Sequence, residues 1–263
     1  MKTDGEFVKQ LGYSLRLVLG GVVAVVVAVL LAPPMLLATL FTSSGRPGQI
    51  AGYAWSWSVA KVLGVSASLT GQEKVKPGQS YVVTPNHQGN ADVLAIEMVL
   101  PLRVFWVIKK ELTRIPFFGW ALARSGAVSL DRSNPEEAVR GLMAGAHRMS
   151  RGWSLLIYPE GTRSPDGSLQ PFKRGAFRLA VQAGIPVLPV TINGAFKIWP
   201  KNTLRFRPGH MLVSIGDPIP TAGLTEDDIQ TLMEITRLAI ERELDFDYDP
   251  FLPGERSRPN ASD

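Results

Sequence analysis

The chain contains no cysteine. Disulfides, thiolate metal sites and a cysteine nucleophile are therefore excluded. Histidine is almost as scarce: His87, His147 and His210 are the full set, and no HExxH pairing occurs. So small a supply points away from a histidine-rich metal centre, and no metal or bound cofactor is expected. No GxSxG elbow is present, so the serine nucleophile of the α/β-hydrolases is also missing. Internal repeats are lacking. Charged residues make up 19% of the chain against 45% hydrophobic, which favours a packed core over disorder. At 263 residues there is room for one sizeable α/β domain plus an accessory segment. The formal net charge of +5 suits an anionic partner. The basic residues are scattered and no recognition motif occurs, so nucleic acid is not the expected partner. An anionic lipid surface or a phosphorylated substrate remains.

Charge itself is absent from Leu17 to Gly45. The densest part runs from Val22 to Leu31. About 20 apolar residues suffice to cross a bilayer, so the stretch is long enough. Pro33 and Pro34 interrupt it, and proline breaks the helical hydrogen-bond ladder. Two readings follow: a kinked transmembrane helix, or a hairpin broken at the prolines that dips into one leaflet and returns. A signal peptide fits less well, because Asp4 and Glu6 stand beside Lys2 and Lys9 and no small-residue cleavage site follows. A buried helix of a soluble fold is the plainer alternative, but uncharged runs of this length are rare there. From Gly48 to Val65 the only charge is Lys61, and Tyr53, Trp55 and Trp57 are of the kind that favours a membrane interface or packs between helices. Residues 1–69 are thus expected to form a two-helix membrane module.

Beyond Gly71 short β-branched runs alternate with helical stretches. The predicted strands are Tyr81–Thr84, Val104–Ile108, Ala127–Leu130, Ser154–Tyr158, Val187–Ile192 and Met211–Ile215. The predicted helices are Asp92–Val99, Pro135–Arg151, Gly175–Ala183 and Glu226–Leu244. This alternation implies a mixed, largely parallel sheet flanked by helices, an α/β domain over residues 70–253. Thr225 is the expected N-cap of the last helix, followed by Glu226, Asp227 and Asp228 at the positive end of its dipole. Gly184-Ile185-Pro186 should end the helix before it. Residues 254–263 are polar, without periodicity, and read as a disordered tail.

The block Asn86-His87-Gln88-Gly89-Asn90-Ala91-Asp92 follows a strand and opens a helix. A histidine that acts as a base needs a partner to hold its tautomer. Asp92 is five residues on, and within one helix that step turns about 500°, so the side chains would point apart. They meet only if His87 lies on the turn before the helix and folds back over its first turn, with Asn90 as the expected N-cap. A histidine that merely caps a helix is the plainer reading of this block alone. A second block, Tyr158-Pro159-Glu160-Gly161-Thr162-Arg163-Ser164, follows another strand. Its glycine allows close backbone approach and its arginine offers a fork for phosphate. Between the two lie Lys109, Leu112, Gly119 and Arg132, and after them Pro171–Phe177 and Gly184–Val190. Taken singly, Lys109 and Arg132 read as solvated charges at strand ends.

Together these residues resemble the glycerolipid acyltransferase family, most of all the 1-acyl-glycerol-3-phosphate (lysophosphatidic acid) acyltransferases. The NHxxxxD motif is matched by Asn86, His87 and Asp92, and the second motif by Lys109, Leu112, Gly119 and Arg132. The FPEGTRS motif is matched from Pro159 to Ser164, and the proline-containing strand by Ile185 to Val190. Gly89 stands where serine is common, and Tyr158 replaces the usual phenylalanine. The resemblance implies direct transfer from acyl-CoA or acyl-carrier protein, with no acyl-enzyme. His87 would deprotonate the sn-2 hydroxyl of the acceptor, and Asp92 would orient it. Arg163 and Lys109 would hold the phosphate, with Arg132 a further candidate. Glu160, Gly161 and Thr162 of the same turn would join in binding the substrate, with a structural Glu160 that accepts hydrogen bonds from backbone amides as the alternative. The implied partners are a lipid bilayer, a lysophospholipid acceptor and the acyl donor, and the implied location is the cell membrane with the site on the cytoplasmic side. Other acceptors (a larger lysophospholipid, a glycolipid, glycerol-3-phosphate) and a non-catalytic lipid-binding role are the alternatives.

Overall fold

Strands buried on both faces need helices above and below them. The computed structural model describes residues 4–42, 45–130, 149 and 152–252, with the backbone alone at 4–7, 109, 118 and 130. Its strands are β1 (Ser66–Thr70), β2 (Val82–Pro85), β3 (Val104–Lys109), β4 (Val128–Leu130), β5 (Ser154–Leu156), β6 (Val187–Asn193) and β7 (His210–Ile215). They form one seven-stranded sheet in the order β1-β7-β6-β2-β5-β3-β4. Every pairing is parallel except β6 with β7. The helices are α1 (Asp4–Phe41), α2 (Arg46–Leu63), α3 (Asp92–Val99), α4 (Phe118–Ser125), α5 (Gly175–Ala183), the single turn α6 (Ala195–Ile198) and α7 (Ile229–Glu243).

Side chains alternate across a strand, and the core divides accordingly. Val83, Leu156 and Leu188 join a cluster with Leu63 of α2 and Leu94 of α3. Their neighbours Val82, Leu155 and Val187 join a second cluster with Phe177 of α5 and Leu232 of α7. The sheet is the expected mixed, largely parallel one. Helices α3 and α5 have the predicted ends, and Gly184 closes α5 in the left-handed conformation at φ 63°. The last helix begins with a 3₁₀ turn, Glu226–Asp228, fixed by a capping box between Thr225 and Asp228. The predicted helix Pro135–Arg151 falls almost wholly outside the described residues, as does the tail 254–263. Three of these elements were not anticipated: α4, the single turn α6 and β1. Ser66–Thr70 pairs with β7 over its whole length, so the sheet begins four residues before the boundary drawn at 69/70. Its sequence, Ser-Ala-Ser-Leu-Thr, has a single β-branched residue and little β-propensity of its own, and the pairing supplies what the composition does not.

The reversal in the N-terminal region is not at the prolines. Helix α1 continues through Pro33 and Pro34, and the chain turns between Phe41 and Arg46, where Gly45 adopts φ 69°. Proline's fixed φ suits a helix, and what it removes is a donor to the carbonyl four residues back. Packing on either side offsets that loss: Ala32 and Met35 are buried. Trp55 of α2 donates its indole N–H to the Ala24 carbonyl of α1 at 2.8 Å. Helix α2 in turn lies on the α/β domain along its length. Gly48 abuts Ser125 of α4, Gly52 abuts Glu97 of α3, and Val59 and Leu63 enter the core. The outer side of α1 has no such cover: Val8, Leu11, Val18, Val25, Leu30 and Leu40 are exposed. Val8–Phe41 is long and apolar enough to cross a membrane by length and composition.

Candidate active site

The site forms where the loops after β2 and β5 meet. Asn86 ends β2 by closing two hydrogen bonds with the Ile192 backbone of β6, donating to its carbonyl at 3.0 Å and accepting its N–H at 2.7 Å. This clamp turns the chain so that His87 precedes α3 rather than joining it. His87 Nδ1 then lies 2.6 Å from Asp92 Oδ2, the fold-back geometry expected from the spacing. The same oxygen accepts the Gly89 N–H at 2.9 Å. Asp92 is fully buried, and its Oδ1 has no partner among the described residues. A carboxylate so placed accepts the Nδ1 proton, which leaves Nε2 unprotonated and able to take a proton.

Asn90 is not the N-cap. The cap position is Ala91, without a side-chain bond, and Asn90 instead donates to the Pro200 carbonyl at 3.1 Å. Asp92 holds the Gly89 amide instead, fixing the turn that precedes the helix. Gly89 itself has a steric reason. A Cβ there would lie 2.5 Å from the Ala195 carbonyl oxygen and 2.9 Å from that of Trp199, so the serine common in the motif has no room.

Glu160 is buried and ties the two loops together. Its Oε1 accepts the His87 N–H at 2.6 Å and its Oε2 the Gln170 N–H at 2.9 Å. The His87 carbonyl accepts the Ser164 N–H at 2.7 Å, so the Glu160–Ser164 turn grips the histidine backbone from both sides. Burial pushes the Glu160 carboxyl up to about 7, against the opposing pull of those two amides. This is the geometry of the structural alternative for Glu160, a carboxyl that holds backbone amides. The Tyr158 ring stacks on the His87 ring, with centroids 3.8 Å apart and planes at 13°. Its hydroxyl is buried without a partner among the described residues. Desolvation, and then the charges of Asp92, Glu97 and Glu160, push it well above the usual tyrosine range.

His87 lines a cavity of about 1290 Å³ whose walls include Gly20 and Ala24 of α1, Trp55 of α2 and Val104 of β3. This largely apolar space lies between the N-terminal helices and the sheet, a place that sequence could not locate. One carboxyl interrupts its apolar lining. Glu97 of α3 accepts the Trp106 indole N–H at 2.9 Å, and burial raises it to about 7 despite that bond.

Cations gather at one end of the same cavity. Arg163 is half-buried there and makes no hydrogen bond or ion pair to the described residues. Gly161 (φ 70°) has the Lys173 side chain over it, where a Cβ would lie 2.8 Å from Cε. Lys201 Nζ donates to Thr162 Oγ1 at 2.9 Å. Thus Gly161, Thr162 and Arg163 come together with His87 as expected, joined by Lys173 and Lys201, which sequence reasoning did not single out. Lys173 was visible inside the Pro171–Phe177 block without a role, and nothing in the sequence marks Lys201. The backbone of Lys109 ends β3, beside Leu130 of β4. Its side chain, and all of Arg132, lie outside the described residues.

The family profile described as "Acyltransferase" matches residues 66–193, from the first residue of β1 to the last of β6. A human protein named 1-acyl-sn-glycerol-3-phosphate acyltransferase alpha is 35% identical over 190 residues, which cover 71% of this chain and 67% of that protein. The Saccharomyces cerevisiae protein named 1-acyl-sn-glycerol-3-phosphate acyltransferase is 37% identical over 180 residues, covering 67% of this chain and 59% of its own length. The chain thus aligns with about two thirds of its mammalian relatives. The crystal structure of the 1-acyl-sn-glycerophosphate (LPA) acyltransferase PlsC from Thermotoga maritima superposes with a TM-score of 0.74 at 25% identity, over 90% of this chain and 95% of that one. With this identity across this much of both chains, the protein belongs to the acyltransferase family.

Proposed function

We propose that the enzyme moves a fatty acyl group from a thioester to the sn-2 hydroxyl of 1-acyl-glycerol-3-phosphate, giving phosphatidic acid for phospholipid synthesis. The observation that carries this is the His87–Asp92 pair, 2.6 Å apart, at the wall of a cavity that is apolar on one side and cationic at one end. Nε2 of His87 takes the hydroxyl proton while Asp92 stabilises the imidazolium. The acceptor oxygen attacks the thioester carbonyl, the C–S bond breaks, and the thiolate leaves with the proton that His87 returns. Arg163, with Lys109 and Arg132 of the second motif, binds the acceptor phosphate, and Glu160, Gly161 and Thr162 hold the turn that presents it. Acyl-CoA or acyl-carrier protein is the donor.

The membrane assignment rests on α1, whose outer face is apolar and uncovered. Residues 1–65 hold the chain at the cell membrane, and the α/β domain from residue 66 to 253 carries the reaction on the cytoplasmic side where acyl donors are made. The test is a panel of acceptors offered to the purified enzyme with one thioester: lysophosphatidic acid, lysophosphatidylcholine, a glycolipid and glycerol-3-phosphate. Lysophosphatidic acid should show the highest kcat/KM. A higher value for another acceptor overturns the substrate, and lipid binding without turnover of any acceptor overturns the enzyme.

A further inference from the structure

The connection from α6 to β7 is pinned at both ends. Near its start Asn90, between His87 and Asp92, donates its backbone N–H to the Trp199 carbonyl at 3.0 Å and its side chain to the Pro200 carbonyl at 3.1 Å. At its far end Pro208 packs on Gly64, which closes α2, beside Arg16 of α1. In between, Phe206 is buried edge-on to Trp199 with centroids 5.8 Å apart, and Arg207 N donates to the Ile198 carbonyl at 3.0 Å. Such a loop is folded. Yet Leu204 at its tip is 82% exposed, more than nearly any other apolar side chain described, with exposed Arg205 and Arg207 beside it. Leu204 and Lys201 also edge the cavity that His87 and Leu17 of α1 line.

A fixed loop that presents leucine between cations matches the layering of an anionic leaflet, with headgroup charge outside and hydrocarbon beneath. We propose that the loop Pro200–Gly209 is a membrane contact separate from α1. Leu204 enters the apolar layer and Arg205 and Arg207 meet anionic headgroups. Lys201, held 2.9 Å from Thr162, receives the phosphate of the acceptor as it leaves the leaflet and passes it to Arg163. The Lys201 step rests on the acyl-acceptor reading above; the membrane contact does not.

With no native cysteine, Leu204→Cys can carry a single polarity-sensitive fluorophore in the full-length protein. On vesicles of phosphatidylcholine and phosphatidylglycerol, its emission should shift to the blue and be quenched by lipid-borne quenchers. A probe that stays in water, or is shielded only when the acyl donor protein is added, overturns the membrane contact whatever the enzyme's substrate. Kinetics give a second arm. The Leu204→Ser/Arg205→Ser double variant should raise the KM of vesicle-borne lysophosphatidic acid about 10-fold, and that of a monomeric short-chain acceptor less than about two-fold. An equal rise for both makes the loop a plain pocket wall and overturns the proposal. Lys201→Met should raise acceptor KM roughly 10-fold or more in both presentations with kcat less affected; an unchanged KM removes the phosphate step. If the wild type turns over neither acceptor, the functional reading has failed, and the fluorescence still decides the contact.

Discussion

An imidazole with one nitrogen committed to a buried carboxylate has one nitrogen left for chemistry, and at His87 that nitrogen is Nε2. His87→Ala should keep the fold and lower acyl transfer by about 10²–10⁴-fold, the usual worth of a general base. Asp92→Asn should be comparably damaging. An amide at that position donates where the carboxylate accepts, and so reverses the histidine tautomer. Near wild-type turnover by folded His87→Ala would end the mechanism. Arg163 poses a separate question, since it is half-buried without a partner among the described residues. Arg163→Ala should raise acceptor KM about 10- to 150-fold, the worth of one charged hydrogen bond, and leave donor KM nearly unchanged. Arg163→Lys should recover only part, because an ammonium lacks the two-pronged geometry. A rise in donor KM instead would place Arg163 on the carrier's phosphates. At this scale the motif spacing made His87, Asp92 and the Glu160 turn legible. Asn90 misled because it looks like a cap, while its real partner, Pro200, lies 110 residues away. Lys201 was invisible for the same reason, since its meeting with Thr162 depends on tertiary folding alone.

Elements were legible where local signals agreed with packing, as at α3 and α5. They were not where tertiary contact overrode the local signal: β1 borrows its order from β7, and α1 runs through two prolines because its flanks are packed. Helix α3 also carries a cost that its apolar pattern hides. Glu97 titrates at about 7 in the folded protein against 4.5 ordinarily, because burial disfavours its charge. The folded state therefore binds that proton more tightly than the unfolded one. The resulting stability is complete below about pH 4.5 and is lost as pH rises through about 7. Glu97→Gln keeps an oxygen for the Trp106 indole and cannot ionise. It should be near neutral at pH 4.5 and stabilise the protein by up to about 3 kcal/mol at pH 8, as measured by denaturant melts of the detergent-solubilised protein. A gain that does not grow with pH would mean that Glu97 is solvated in the native state.

At the scale of the whole molecule, the position of α2 limits how the chain would meet the bilayer of the proposed reading. Helix α2 packs on α1 on one side and on α3 and α4 on the other, and α1 also touches α4, so α1 cannot stand upright through a membrane without breaking these contacts or drawing the α/β domain in after it. An α1 lying in one leaflet with its outer face down keeps every contact. Cysteines placed singly at Val8 and Thr42, at opposite ends of α1, should then react with an impermeant reagent added from the same side of sealed vesicles. Reaction from opposite sides would establish a span. The order of strands has a further consequence, in time rather than space. Ser66 finds its partner His210 only 144 residues later, and at about 5–20 residues per second the ribosome needs roughly 7 to 30 s to supply it. The greasy hairpin has emerged long before then, whereas the clamp between Asn86 and Ile192 that sets the His87 turn must wait for most of the chain. If the N-terminal helices hold the chain at the bilayer as proposed, synthesis delivers the membrane segment first and the His87 site second, so a nascent chain meets the bilayer while it is still inert.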